Sequence, residues 1–217
     1  MVKIITIDGP ASVGKSEISK KLSKKLNAPI LISGRLYRAV AYEVLKRGVN
    51  LKNKKKILEC ARGINNDSLN SNELYSNEID NISSQISSIK ELRSKLLKYQ
   101  REFPKLYSGE KKCVIIEGRD IGTVIFPKAD LKIFMWASSE TRAKRRVAQI
   151  AQTKKKPNIG QIHKLIIERD IRDMRRKIAP LVPAADSYLI DTTFLDIEQT
   201  FNSIVRIVRS KIYEWIS

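Results

Sequence analysis

An apolar run, "VKIITI" (2–7), breaks into "DGPASVGKSE" (8–17), and this junction constrains the chain more than any other stretch. Gly9, Gly14, Lys15 and Ser16 fit G-x-x-x-x-G-K-[ST] between a predicted strand and a predicted helix, in which Ile18, Leu22 and Leu26 recur every four residues. Glycines let such a loop curl so that successive backbone N–H groups point inward, and the positive end of the following helix adds its dipole. The spacing implies a cradle for a phosphate chain, made by Gly9, Pro10, Ala11, Ser12, Val13, Gly14, Lys15, Ser16 and Glu17, with Lys15 reaching the outer phosphates. The Ser16 hydroxyl is placed to bind Mg²⁺, an ion that takes oxygen ligands. A nucleoside triphosphate site follows. The acceptor does not, because unrelated activities share this loop.

Beyond the loop, short apolar runs alternate with helical patterns. Strands are predicted at 28–32, 113–117, 131–136 and 187–190. Helices are predicted at 35–48, 54–62, from 83 to about Tyr107, and at 139–152, 160–177 and 196–215. The Asn/Ser-rich stretch 63–82 reads as a loop or weakly structured insert, and "GRDIGTVIFPKAD" as a turn-rich connection. Strands alternating with helices imply an α/β fold with a parallel sheet and crossover helices. The 217 residues suffice for one core, or for a core carrying a smaller inserted domain.

Charge narrows the partners. Against 23 Asp+Glu stand 42 Lys+Arg, a formal +19, which calls for polyanions. The lysine runs at 52–56 and 154–156 read as solvated surface, whereas the arginines fall at places suited to recognition. Arg38 starts a helix after the second strand, near the strand ends where ligands bind in open parallel sheets. Glu117, Arg119 and Asp120 ride a turn off a buried strand; a guanidinium there can fork onto a phosphate, and an aspartate can accept from a cytosine amino group. Arg142, Arg145 and Arg146 share one helix side, as do Arg169, Arg172 and Arg176 on another, with Asp173 beside them. The two faces flank "TKKKPNIG", an arrangement like a lid. With two cysteines and one histidine, neither a transition-metal cluster nor histidine acid–base chemistry is expected. No apolar run approaches the length of a membrane span and no leader pattern is visible, so the expected location is cytoplasmic.

At this point the chain resembles the bacterial cytidylate kinases, members of the nucleoside monophosphate kinase family. The likeness runs through "ITIDGP", "SGRLYRA", "SSQIS", "LRSKLLKYQREF", "EGRDIGTVIFPKADLKIF", "ASSETRAKRR", "ERDIRDMRRKIAPLVPAADS" and "DTTFLDIEQ". It implies a P-loop NTPase-type fold, a five-stranded parallel sheet with helices on both faces. A CORE domain would occupy 1–32 and 109–217, with a monophosphate-binding insert at 33–108 and a short lid at 149–161. It further implies that Ser33, Arg38 and Arg176 touch the acceptor, with Asp173 near its sugar. Ser84, Arg93 and Asp120 would read cytosine, Arg119 would grip its phosphate, and Lys15, Arg145 and Arg169 would serve the migrating phosphoryl group. The chain departs from the family at Ile32, where the family usually has Asp, and at Ser16-Glu17, where it usually has Gly-Thr. In addition, 63–82 is short for an insert that commonly includes a small β-sheet.

The reaction implied is Mg·ATP plus CMP or dCMP giving ADP plus CDP or dCDP. The partners implied are these small molecules, with no membrane, no nucleic acid and a monomeric chain. Two rivals stay open on sequence alone: another nucleoside monophosphate kinase, such as a UMP/CMP enzyme, and a basic nucleic-acid-binding P-loop protein. Against the second, aromatics are only 6%, few for a surface that stacks bases.

Overall fold

The computed structural model describes residues 2–64, 69, 72–151 and 157–216. Five parallel strands form one sheet in the order β2-β3-β1-β4-β5: β1 (Lys3–Asp8), β2 (Ile30–Ile32), β3 (Cys113–Gly118), β4 (Leu131–Trp136) and β5 (Tyr188–Asp191). Both neighbours of β1 come later in the chain, so the strand order reverses around it. The crevice beyond its carboxyl end is where such sheets bind ligands.

The strand sequences are continuous apolar runs because helices cover both faces. On one face Ile5, Ile7, Ile115 and Ile133 pack against Ile18 and Leu22 of α1 (Lys15–Leu26) and Ile204, Val205 and Val208 of α8 (Ile197–Ile216). On the other, Val114, Ile116 and Leu31 meet Phe103, Ile121 and Ile125. Between β2 and β3 the chain makes a helical excursion through α2 (Ser33–Lys46), α3 (Lys54–Cys60), α4 (Asn77–Ile86) and α5 (Lys90–Glu102). These helices bury an apolar cluster of their own, including Leu36, Val40, Ile57, Ile79, Ile82, Ile86 and Leu92. After β4 come α6 (Ser139–Ala151) and α7 (Ile159–Arg175), the latter capped by the Asn158 side chain accepting from Gln161 N–H. Residues 152–156, in the expected lid, lie outside the described residues, as do 65–68, 70 and 71 of the expected loop.

Two local expectations are corrected and a third point agrees with the short insert. Residues 77–82 are helix rather than loop: the Ser76 hydroxyl caps Ile79 N–H, and Ile79, Ile82, Ser83 and Ile86 face inward at helical spacing despite the polar composition around them. The single helix expected from 83 to about 107 is broken at Ser87–Ile89 and ends as a 3₁₀ turn over Phe103–Tyr107, where Pro104 fits a first turn. Among the described residues of 33–108 there is no strand, so the small sheet common in the family has no counterpart there.

The turn after β3 also takes an unexpected form, a π-turn over Ile121–Ile125. Its cause is Asp8 at the end of β1, whose carboxylate accepts from Ile121 N–H (2.9 Å) and Gly122 N–H (2.7 Å). With those amides engaged, Phe126 N–H closes the wider ring onto Ile121 C=O at 2.7 Å.

Candidate active site

The glycine loop leaves β1 at its carboxyl end. Gly9 has φ 150° and its Cα lies so close to β4 that a Cβ would come 2.2 Å from the Met135 carbonyl oxygen, which only glycine tolerates. Gly14, at φ 99°, precedes the first turn of α1. Lys15 is buried, and its ammonium donates to the carbonyls of Gly9 (2.8 Å) and Pro10 (2.7 Å), so the lysine is folded across the mouth of its own loop. Burial first, and then the Arg119 guanidinium, depress the Lys15 ammonium well below its usual value, while Glu117 acts the other way. Ser16 donates to Glu117 Oε1 at 2.8 Å. Glu117 Oε2 is buried and accepts no hydrogen bond. A hard divalent cation suits this orphaned oxygen and the hydroxyl beside it, so Ser16 and Glu117 fit a Mg²⁺ bound together with a phosphate chain. Glu17 is exposed on the first turn of α1, turned toward solvent rather than into the loop.

Opposite the loop, arginines from five segments meet three carboxylates. Arg93 on α5 pairs with Asp120 Oδ2 and donates to Ser87 C=O, while Arg176 Nη2 reaches Asp120 Oδ1 at 3.3 Å. Arg176 is held by Ala179, whose left-handed backbone (φ 51°) turns its carbonyl onto Nε at 2.5 Å. Asp173 on α7 takes Ser84 Oγ on Oδ1 (3.4 Å), and on Oδ2 Arg119 Nε (3.2 Å) and Arg169 Nε (3.6 Å). Burial acts to raise the Asp173 carboxyl, but Arg169, Arg119 and Arg176 outweigh it and hold it below the usual range. Burial likewise acts to lower Arg169, and Asp173 with Asp80 reverses that. Arg38 joins through Asp80, which also pairs with Arg146 and Arg169. A cavity of about 580 Å³ opens at one end of this network, beside Ser84 and Arg176, with Ile86, Ile89 and Ile171 in its walls.

The structure therefore gathers Arg38, Ser84, Arg119, Arg169 and Asp173 into one set and Arg93, Asp120 and Arg176 into another, the two joined by Ser87, whose hydroxyl accepts from Arg176 Nη1 (3.3 Å) and donates to Ser84 C=O (2.7 Å). Ser33 stands next to them at the head of α2, accepting from Gln100 Nε2 on α5. Ile32, at the position before that helix, offers no capping side chain, which is the polar support the chain lacks there. Arg145 departs from expectation. Its guanidinium donates to Val13 C=O (3.2 Å), Thr192 Oγ1 (3.0 Å), Thr192 C=O (2.5 Å) and Leu195 C=O (3.0 Å), and so ties the loop to the segment after β5. Of the α6 arginines, Arg146 is the one that enters the cluster. Arg142 is buried against Asp170 (2.6 Å) and Ala11 C=O. Sequence reasoning missed Asp80, the contact of Glu117 with Ser16 and the entry of Arg146 into the cluster; for Glu117 the signal was present, a carboxylate at the tip of a strand adjoining the loop strand.

A phosphate loop at the switch crevice of an open parallel sheet, faced by converging guanidinium groups, makes this a P-loop kinase. TT1252 from Thermus thermophilus, a solved structure 15% identical in sequence, shares the fold over 97% of each chain with a TM-score of 0.53. The family model for cytidylate kinase matches residues 5–210, and the chain belongs to that family. A cytidylate kinase of Alkaliphilus oremlandii is 39% identical, with 94% of this chain and 97% of the relative covered. One from Flavobacterium johnsoniae is 36% identical, covering 96% of each. Among the described residues no helix is long and apolar enough to cross a membrane.

Proposed function

We propose that the chain transfers the γ-phosphoryl group of ATP to CMP or dCMP, giving ADP and the corresponding diphosphate. The observation that carries this is the convergence of Arg38, Arg119, Arg169 and Arg176 on one cleft, in a chain whose P-loop supplies the donor side. The acceptor oxygen is anionic at neutral pH, so transfer needs no general base, and none is offered by a histidine. The difficulty is charge, since two polyanionic nucleotides and an equatorially charged transition state must share one space. Lys15 swings from the Gly9 and Pro10 carbonyls onto the donor phosphates, and the arginines stabilise charge as it moves, the largest contribution expected of such a site. Mg²⁺, when held by Ser16 and Glu117, would neutralise part of the charge on the donor phosphates.

On the acceptor side Arg119 and Arg38 clamp the phosphate, Asp173 and Ser33 support the sugar and its surroundings, and Ser84, Arg93 and Asp120 read cytosine. Asp120 accepts from the cytosine amino group while Arg93 faces the ring acceptors. Uracil would set its O4 against the Asp120 carboxylate with no proton between them, a buried mismatch worth about 1–3 kcal/mol. The helical stretch 33–108, with an apolar cluster of its own, is read as the acceptor-binding insert, and 149–161 as a lid closing over the donor. The same reading expects a cytoplasmic monomer. A steady-state comparison of CMP, dCMP, UMP and AMP tests it: CMP and dCMP should turn over with UMP well behind, and equal rates for CMP and UMP overturn the assigned base readers. Lys15→Ala should lower kcat by about 10²–10³; CMP-dependent ADP formation near the wild-type rate removes the donor-site reading.

A further inference from the structure

Asp80 lies on the first turn of α4, 17% exposed, among three guanidinium groups brought by three different helices. Its Oδ1 is 2.5 Å from Arg38 Nη2 on α2 and 3.4 Å from Arg169 Nη1 on α7, and its Oδ2 is 2.9 Å from Arg146 Nη2 on α6. Oδ1 is buried yet receives no hydrogen bond of good direction, so its contacts are ionic rather than well-shaped. One carboxylate thus serves three cations, of which Arg169 is shared with Asp173. A phosphoryl group, with near two charges and three outer oxygens, matches the same nest better in number and in shape. Asp80 is not needed to hold α4 in place: Ser76 caps that helix, and Ile79, Ile82 and Ile86 bury its apolar face.

We propose that Asp80 is an internal stand-in for a phosphoryl group. In the nucleotide-free protein it keeps Arg38, Arg146 and Arg169 converged against their mutual repulsion, and it yields its place when the phosphate of a nucleotide enters. Each binding event then includes the release of this carboxylate, which weakens affinity and ties entry of the ligand to reorientation of the Asp80 side chain. The proposal rests on the kinase reading only for the identity of the entering anion. It makes Asp80 a positioning residue that acts through the arginines.

The test is calorimetric binding of inorganic phosphate and of CMP to wild type, Asp80→Asn and Asp80→Ser, with melting temperatures taken with and without each ligand. Expected are lower melting temperatures for the unliganded variants, CMP and phosphate affinities raised about tenfold over wild type, and a larger ligand-induced rise in melting temperature. A carboxylate that merely favours the helix start would lower the melting temperature and leave the ligand-induced rise unchanged, and that outcome overturns the proposal, as does weaker binding by the variants. In wild type, the Asp80 side-chain carboxyl carbon followed by NMR should shift as phosphate is titrated; a resonance that stays fixed at saturation overturns it even if neither variant folds. Wild type that binds phosphate as described but fails to turn over CMP would instead remove the kinase reading and leave the stand-in role intact.

Discussion

The Ser16 hydroxyl donates to Glu117 across the gap between α1 and the tip of β3, leaving the second carboxylate oxygen of Glu117 buried without a hydrogen bond. Such an oxygen is costly to maintain unless a ligand takes it. Glu117→Gln should therefore raise the Mg²⁺ concentration for half-maximal activity by about 10–100-fold with the KM for CMP near wild type. An unchanged Mg²⁺ requirement removes Glu117 from the metal site.

Arg145 and Arg146 are adjacent in sequence and face different tasks. Arg146→Ala should lower kcat by about 10²–10³ with a small change in melting temperature, because its guanidinium is part of the cleft. Arg145→Ala should cost about 1–3 kcal/mol of stability, because three backbone carbonyls and a hydroxyl lose their donor. Thermal unfolding and single-turnover rates on both variants separate the two; the reverse pattern would restore Arg145 to the transfer step.

Asp120 is held by Arg93 and Arg176 with its carboxylate fixed in the cleft. Asp120→Asn replaces one acceptor by an amide donor that suits uracil O4 better than the cytosine amino group. The kcat/KM for CMP should fall by about 10² or more, that for UMP should hold or rise, and the ratio between them should shrink. Equal losses for both nucleotides would show that Asp120 does not read the base.

Burial is the main cause that pushes the Asp8 carboxyl up to about 6, against the hydrogen bonds from Gly122 and Ile121, with Asp120 adding to the rise. In the unfolded chain the group ionises near 3.8, so between these values folding takes up a proton. The stabilisation is whole below about pH 4 and is lost as pH rises through about 6, by roughly 3 kcal/mol. Asp173, held low, works the other way and loses its contribution only as the solution becomes more acid than the ordinary carboxylate range. Denaturant unfolding of wild type and Asp8→Asn from about pH 4 to pH 7 should show wild type losing ground to the variant over that window. A constant difference would mean Asp8 ionises normally.

What could be read from the sequence was local. The glycine loop is a contiguous motif whose geometry is set by its own residues, and the strands announce themselves because both their faces are covered. The helix at Asn77–Ile86 was hidden because Asn and Ser favour turns when considered singly, while the four inward positions and the Ser76 cap decide the matter only when α2 is there to receive them. Arg145 and Arg146 could not be ranked from spacing, since both lie on the side of α6 that Arg142 shares, and a few tens of degrees of helix rotation decide which enters the cleft. Asp80 was illegible for a stronger reason: its three partners stand 42, 66 and 89 residues away, and nothing local marks it.

The Asp8 carboxylate joins the strand that feeds the glycine loop to the turn that presents Asp120, and the two strands run in register from Lys3 beside Cys113 to Asp8 beside Gly118. The glycine loop and the turn that carries Arg119 and Asp120 are consequently borne by adjacent strands of one sheet, at a spacing of about 4.8 Å that no side chain sets. The separation of the glycine loop from the turn that carries Asp120 is in that sense built into the backbone, and mutational drift among the helices outside the sheet leaves it unchanged.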